Sequence, residues 1–326
     1  MKYVLRRLAF YLLAAWASVT LAFFIPRMMP GDPTSTMFAR FKGKLAPEAL
    51  DELRTAFGFT DGSLFEQYFT YLGHVLTGDL GISIKYYPAT VTSVIGNALV
   101  WTLVLAGVAV VISFVAGTSL GILAAWRRGG RLDSTLPPLF VLLGAFPYFW
   151  LAMALLFVLG FQLEWFPLGH AYDDRLTPGL SWDFLVSVAS HAVLPAATIV
   201  VATMGAWLLD MRNTMIAVMG EDYIKLAVAK GLPTHRVMLR YAARNALLPN
   251  VTSFGMALGF VVSGSILTEI VFSYPGQGYL LLQAVQSQDY PLMQGLFLTI
   301  TLAVLGANWL VDLAYAWLDP RTRRGS

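Results

Sequence analysis

Six blocks of eighteen or more mostly apolar residues recur along the chain: Leu8 to Ile25, Ala98 to Ala125, Thr135 to Phe161, Trp182 to Leu209, Val251 to Phe272 and Leu292 to Leu318. At a 1.5 Å rise per residue, each can cross a hydrocarbon core about 30 Å thick, and the longer ones have length to tilt. Lipid offers backbone groups no partners, so a block that crosses it has to be a helix. Composition points the same way. Hydrophobic residues make up 57% of the 326, and charged residues only 13%, where a soluble domain carries about 25%. Mean hydropathy is +0.65. The expected fold class is an all-α polytopic membrane protein with six transmembrane helices.

Six spans place both termini on one side. Fifteen of the 22 Lys and Arg residues lie on that side, and six of the remaining seven sit in the long first loop, from Arg27 to Lys85, where charge weighs little on topology. Both termini are therefore expected in the cytoplasm. The first block follows Lys2, Arg6 and Arg7, but Arg27 and Pro30-Gly31-Asp32-Pro33 come after it with no small-x-small cleavage site, so it reads as a retained helix. The absence of cysteine excludes disulfides, thiolate metal sites and a cysteine nucleophile. The expected organisation is a first span over 1–26, an extracytoplasmic loop or subdomain over 27–97, a five-helix core over 98–318 and a cytoplasmic tail over 319–326. Within the first loop, Pro47 to Phe57 is expected to form a short amphipathic helix, and the loop from Leu163 to Trp182 is expected outside.

The cytoplasmic stretch from Asp210 to Asn250 is the most informative. Glu221 and Asp222 precede Lys225 and Lys230, an order that complements the helix macrodipole, and Gly231 suits a left-handed C-terminal cap. Pro233 and Thr234 can begin a second helix. In it Arg236, Arg240 and Arg244 recur every four residues, beside an apolar face of Val237, Met238, Tyr241, Ala242 and Leu248, and Pro249 is expected to end it. Two readings follow from periodicity: an interfacial helix on anionic headgroups, or a helix that docks into a groove on a cytoplasmic partner.

The run Glu221-Asp222-Tyr223-Ile224-Lys225-Leu226-Ala227-Val228-Ala229-Lys230-Gly231-Leu232, continuing to Arg244-Asn245-Ala246-Leu247-Leu248-Pro249, strongly resembles the cytoplasmic coupling segment of ABC importer permeases of the dipeptide/oligopeptide/nickel branch. Further stretches resemble that branch in order: Pro30-Gly31-Asp32-Pro33, Gly78-Asp79-Leu80-Gly81-Ile82-Ser83, Ile266-Leu267-Thr268-Glu269, Phe272-Ser273-Tyr274-Pro275-Gly276, Asp289-Tyr290-Pro291, and Asp312 to Pro320. The sequence departs from the general motif, which begins Glu-Ala-Ala, at Lys225, Leu226 and Ala227. It departs from the branch at Tyr241, where His is common, and at Pro233, where a polar residue is more usual.

The resemblance implies a type I ABC importer permease fold in a bacterial or archaeal cell membrane and import of dipeptides or oligopeptides, with nickel or another small solute as the minor alternative. It implies a second homologous permease, two cytoplasmic ATPase subunits carrying ATP and Mg, and an extracytoplasmic substrate-binding protein. No nucleic-acid partner is expected. Glu221, Asp222, Tyr223, Ala227, Ala229, Lys230, Gly231, Leu232 and Arg236 would couple to the ATPases, and Glu269 is the candidate for the substrate path.

Gly117-Thr118-Ser119-Leu120-Gly121 matches a nucleophile elbow, but lies inside a span and reads as a small-xxx-small packing face. His74, His170, His191 and His235 share no ligand spacing, and no Gly-x-x-x-x-Gly-Lys-Ser/Thr occurs, so any ATP chemistry belongs to another subunit. Pro147 and Pro195 each remove a backbone hydrogen bond inside a span. Of the polar residues near span ends, Asp210 and Asp312 suit the cytoplasmic edge. The rival from another class, an ion-coupled secondary transporter, would favour paired acidic residues at the midplane and an inverted repeat. Neither is evident.

Overall fold

A computed structural model describes residues 2–29, 62–261 and 266–318. The expected helix at Pro47 to Phe57, the Pro30 to Pro33 motif and the arginines of the tail lie outside the described residues. In chain order the helices are α1 (Lys2–Arg27), α2 (Leu64–Thr77), α3 (Val91–Trp126), α4 (Arg131–Ala145), α5 (Tyr148–Gln162), α6 (Trp182–Met219), α7 (Asp222–Ala229), α8 (234–260), α9 (Ile266–Val271), α10 (Gln277–Gln286) and α11 (Tyr290–Leu318). Among the described residues no strand forms, and the one β-bridge pairs Ile82 with Thr90.

Among the described residues four helical stretches are long and apolar enough to span a bilayer: Ala9–Arg27, Val91–Trp126, Trp182–Met219 and Tyr290–Trp309. The third expected span is broken instead. α4 and α5 meet at an angle of 98°, with Phe146 at φ −83°, ψ 139° and Pro147 capping α5. The cause is local, since the proline ring clashes with a preceding helical residue and pushes it into the extended region. Pro195, by contrast, stays inside an unbroken and buried stretch of α6. The fifth block is divided between α8 and α9.

The described residues pack as two units. One comprises residues 1–102, 262–266 and 275–326 and the other 103–261 and 267–274, so α3 begins in the first and ends in the second. In the first unit α1 packs along α11, and the core gathers Val91, Ile95 and Ala98 of α3 with Leu280, Ala284, Tyr290, Leu292, Met293 and Leu296. Gly295 is required here, since a Cβ on it would come within 2.5 Å of Val91. α2 opens with a reciprocal cap: the Glu66 N–H donates to Ser63 Oγ (3.3 Å) and the Ser63 N–H to Glu66 Oε2 (2.7 Å).

Two motifs 206 residues apart meet in this unit. The Ser83 hydroxyl donates to Asp289 Oδ2 at 2.5 Å, the Lys85 N–H donates to the same oxygen at 2.9 Å, and the Leu292 N–H donates to Oδ1 at 3.1 Å. Lys85 Nζ and the Tyr86 hydroxyl both reach Gln283 Oε1. Ser83 and Asp289 are fully buried. A buried carboxylate is tolerated where donors satisfy it, and these three donors saturate much of its acceptor capacity.

In the second unit α3 and α6 approach closely where sequence spacing predicts a packing face. A Cβ on Gly117 would lie 2.6 Å from the Met204 carbonyl oxygen and 2.7 Å from Trp207 Cβ, and one on Gly121 would lie 2.6 Å from the Leu208 carbonyl oxygen. Only glycine permits that backbone contact. Nearby, Phe114 stacks on Phe254 and meets Trp207 edge-on, and Asp133 at the start of α4 accepts from Arg212 of α6.

Candidate functional site: the 222–250 hairpin

α7 starts where Glu221 turns from extended to helical backbone, and the Glu221 carbonyl accepts from the N–H groups of Ile224 (3.1 Å) and Lys225 (3.3 Å). Asp222 in the first turn pairs with Lys225 at 2.9 Å. Both side chains are exposed, so that pair contributes at most about 1 kcal/mol. The helix ends as the sequence predicts. Gly231 has φ +69°, its N–H donates to the Val228 carbonyl (2.9 Å), and the Leu232 N–H reaches back to the Ala227 carbonyl (3.3 Å). These two bonds are a Schellman cap, with Leu232 packed against the core beneath it. A Cβ on Gly231 would meet nothing within 4 Å, so glycine is required there by its backbone conformation and not by space.

α7 is two-sided. Ile224 and Ala227 are 5% and 3% exposed and pack with Ala125, Met211, Met215, Val237, Ala242, Ala243 and Ala246. Tyr223 and Leu226, 40% and 54% exposed, lie one turn apart away from that face with Lys225, Ala229 and Lys230, while Val228, 60% exposed, flanks the buried face at its other edge. Of the nine residues expected at the coupling site, Ala227 thus faces its own chain and Leu232 is half-buried, whereas Glu221, Asp222, Tyr223, Ala229, Lys230, Gly231 and Arg236 are accessible.

α8 differs from expectation in two ways. Its residues Val237–Ala243 form a π-helical turn, in which hydrogen bonds skip one residue further than in an α-helix. The buried positions therefore run Val237, Ala242, Ala246 and Asn250, a step of five followed by two of four. Tyr241 and Leu248, expected on the apolar face, are exposed, and Ala243 and Ala246 take their place. Pro249 does not end the helix, which continues to Phe260.

Sequence reasoning missed two polar contacts here. Asn245 Nδ2 donates to the Tyr223 hydroxyl and to the Tyr241 carbonyl, both at 2.9 Å, which ties α7 to α8. Asn250 is fully buried, with its Nδ2 at 3.4 Å from both Thr118 Oγ1 and the Trp207 carbonyl oxygen. Glu269, the expected substrate-path residue, is apart from the hairpin on α9 and only 1% exposed. Its backbone carbonyl accepts from the Tyr274 N–H at 2.8 Å.

The hairpin places no nucleophile or acid–base pair together. Among the described residues no three His, Cys, Asp or Glu side chains cluster as a metal site would require. What the arrangement offers is a capped short helix that exposes Tyr223 and Leu226 among charged side chains and is seated on a bed of small side chains.

Comparison with known proteins adds the context. A family model described as "Binding-protein-dependent transport system inner membrane component" matches residues 117–324. A putative peptide permease protein of Brucella suis is 34% identical over 323 residues, covering 99% of each chain. The dipeptide transport system permease protein DppB of Escherichia coli K12 is 33% identical over 340 aligned positions, and the oligopeptide transport system permease protein OppB of Haemophilus influenzae is 31% identical over 323, each again covering 99% of both chains.

Proposed function

The chain belongs to the family of binding-protein-dependent transport system inner membrane components, and from that premise we propose that it is the permease subunit of an ATP-driven importer of dipeptides or oligopeptides. It forms half of the translocation pathway, and a second homologous permease forms the other half. Two cytoplasmic ATPase subunits hold ATP and Mg, and an extracytoplasmic binding protein delivers the substrate. Both termini are cytoplasmic, which leaves the 222–250 hairpin facing the ATPases. The core is 98–318, with the first span at 1–26 and the extracytoplasmic loop at 27–97.

The two-sidedness of α7 carries the coupling reading. Exposed Tyr223 and Leu226, one turn apart on a helix whose Ile224 and Ala227 are packed, suit insertion into a groove on a partner. Glu221, Asp222, Ala229, Lys230 and Arg236 frame that pair, Ala227 and Leu232 anchor the helix, and Gly231 sets the exit angle. Movement of the ATPases displaces the hairpin, and the bed of small residues transmits the displacement to α3 and α6. Glu269, buried on α9, is proposed to meet the pathway as the bundle changes state.

Reconstitution of the chain with its partners tests the proposal. Uptake of labelled di- and oligopeptides is expected only with ATP, both ATPases and the binding protein present. Uptake that persists without the ATPases would instead favour an ion-coupled carrier. Glu269→Gln is expected to change substrate preference or rate while assembly stays intact.

A further inference from the structure

α3 ends at Trp126, where an apolar span gives way to Arg127 and Arg128. Beside it lies an open cavity of about 520 Å³, lined by Leu123, Trp126 and Arg127 of this end and by Thr234, His235 and Met238 of α8. Its volume falls within the range of about 300–1,000 Å³ usual for small-molecule sites. The lining is divided by chemistry. Leu123, Trp126 and Met238 give an apolar floor continuous with the span, and Arg127, Thr234 and His235 give an accessible rim of hydrogen-bond donors. A Trp followed by Arg at a span end marks the depth of lipid headgroups, so the cavity opens where a phosphate and the root of an acyl chain lie side by side.

We propose that this cavity seats the headgroup of an anionic phospholipid of the cytoplasmic leaflet, with its phosphate against Arg127 and the Thr234–His235 rim and its upper acyl chain on Trp126 and Met238. Charge complementarity favours this occupant. Arg128, Arg131, Arg236 and Arg240 are exposed nearby in sequence on the same two segments, with Asp133 the carboxylate close by, and that one is already held by Arg212. No residue of α7 lines the cavity, so the site is separate from Tyr223 and Leu226, assigned to the ATPases. A lipid held there bridges the end of α3 to the start of α8, and thereby braces the base of the hairpin.

The inference rests on the membrane-permease reading, and native mass spectrometry of the purified complex together with its peptide uptake separates failure of the two. Phosphatidylglycerol and phosphatidylcholine of matched chains are titrated into delipidated complex. One tightly retained phosphatidylglycerol per permease is expected, and inorganic phosphate or glycerol phosphate in excess should not displace it. Arg127→Gln with His235→Gln should weaken that retention at least about fivefold, the effect of about 1 kcal/mol per surface Arg. Thr234→Trp, which fills the cavity and keeps the charge, should also abolish it, whereas Arg128→Gln, a charge change off the lining, should weaken it by less than the lining variants do. Equal retention in wild type and the Arg127/His235 and Thr234 variants would overturn the site. Displacement by glycerol phosphate, or loss of the lipid when the ATPases bind, would make the occupant a soluble phosphate or a protein segment and overturn it equally. Wild type that retains neither lipid would also overturn the site, and peptide uptake by the same complex would show that the permease reading survives it.

Discussion

The Asp289 cluster and the 222–250 hairpin fasten two interhelical segments by opposite means. At Asp289, one buried carboxylate collects the Ser83 hydroxyl and the N–H groups of Lys85 and Leu292. Such bonds are directional and cost most when one partner is lost, because the others stay buried without water. Beneath α7 the contact is made by Ile224, Ala227, Ala242, Ala243 and Ala246 against Met211 and Met215. Small and flexible apolar side chains on both sides leave only the exposed Asn245–Tyr223 bond to break when the surfaces shift. The first arrangement suits a part that keeps one geometry, the second a part that has to move.

The largest expected effect comes from breaking the polar fastening. Asp289→Ala strands the buried donors of Ser83 and Leu292 at about 1–3 kcal/mol each and the half-buried one of Lys85 at less, so the thermal unfolding temperature of the purified permease should fall by several degrees or expression should fail. Asp289→Asn keeps acceptor capacity at one atom and should fall between. If Asp289→Ala unfolds like wild type, the Ser83–Asp289 cluster is not a fastening.

A smaller loss is expected at the apolar seat. Ala227→Leu overpacks the contact at about 1–3 kcal/mol, and limited proteolysis should cut the hairpin sooner while the spans resist. Unchanged proteolysis would mean that α7 is not held by this face. Smaller still is Tyr223→Phe, which removes the bond from Asn245. A stability loss of about 0.5–1.5 kcal/mol is the ordinary value for one hydrogen bond. Lys225→Gln breaks an exposed ion pair and should change thermal stability by less than about 1 kcal/mol.

The two regions also differ in how far they could be read from sequence. The α7 cap was fully legible, since Gly231 after an acidic-to-basic run points to the left-handed end that the backbone adopts. That Gly117 and Gly121 face another helix followed from their spacing, but nothing in it named α6 as that helix. The π turn was not legible. Counting Arg236, Arg240 and Arg244 in fours presumes 3.6 residues per turn, and the extra residue absorbed between Val237 and Ala242 moves Tyr241 out of the buried set. The 98° break at Phe146–Pro147 was half-legible, because proline predicts a disturbance but not whether the helix resumes in line, as it does at Pro195. The meeting of Ser83 and Asp289 was legible only as two separate motifs, since nothing local in either one specifies a partner 206 residues away.

The central claim is that the shape of the hairpin, set at Gly231, transmits ATPase movement. Gly231→Val forces a β-branched residue into a left-handed conformation that costs about 1–2 kcal/mol even for ordinary side chains, and no neighbour lies within 4 Å of a Cβ there. Gly231→Asn tolerates that conformation and serves as the control. The decisive measurement is peptide uptake per ATP hydrolysed in proteoliposomes holding the assembled importer. The account predicts that Gly231→Val assembles and hydrolyses ATP but transports little peptide, while Gly231→Asn keeps most of the wild-type ratio. A wild-type ratio in Gly231→Val would contradict it.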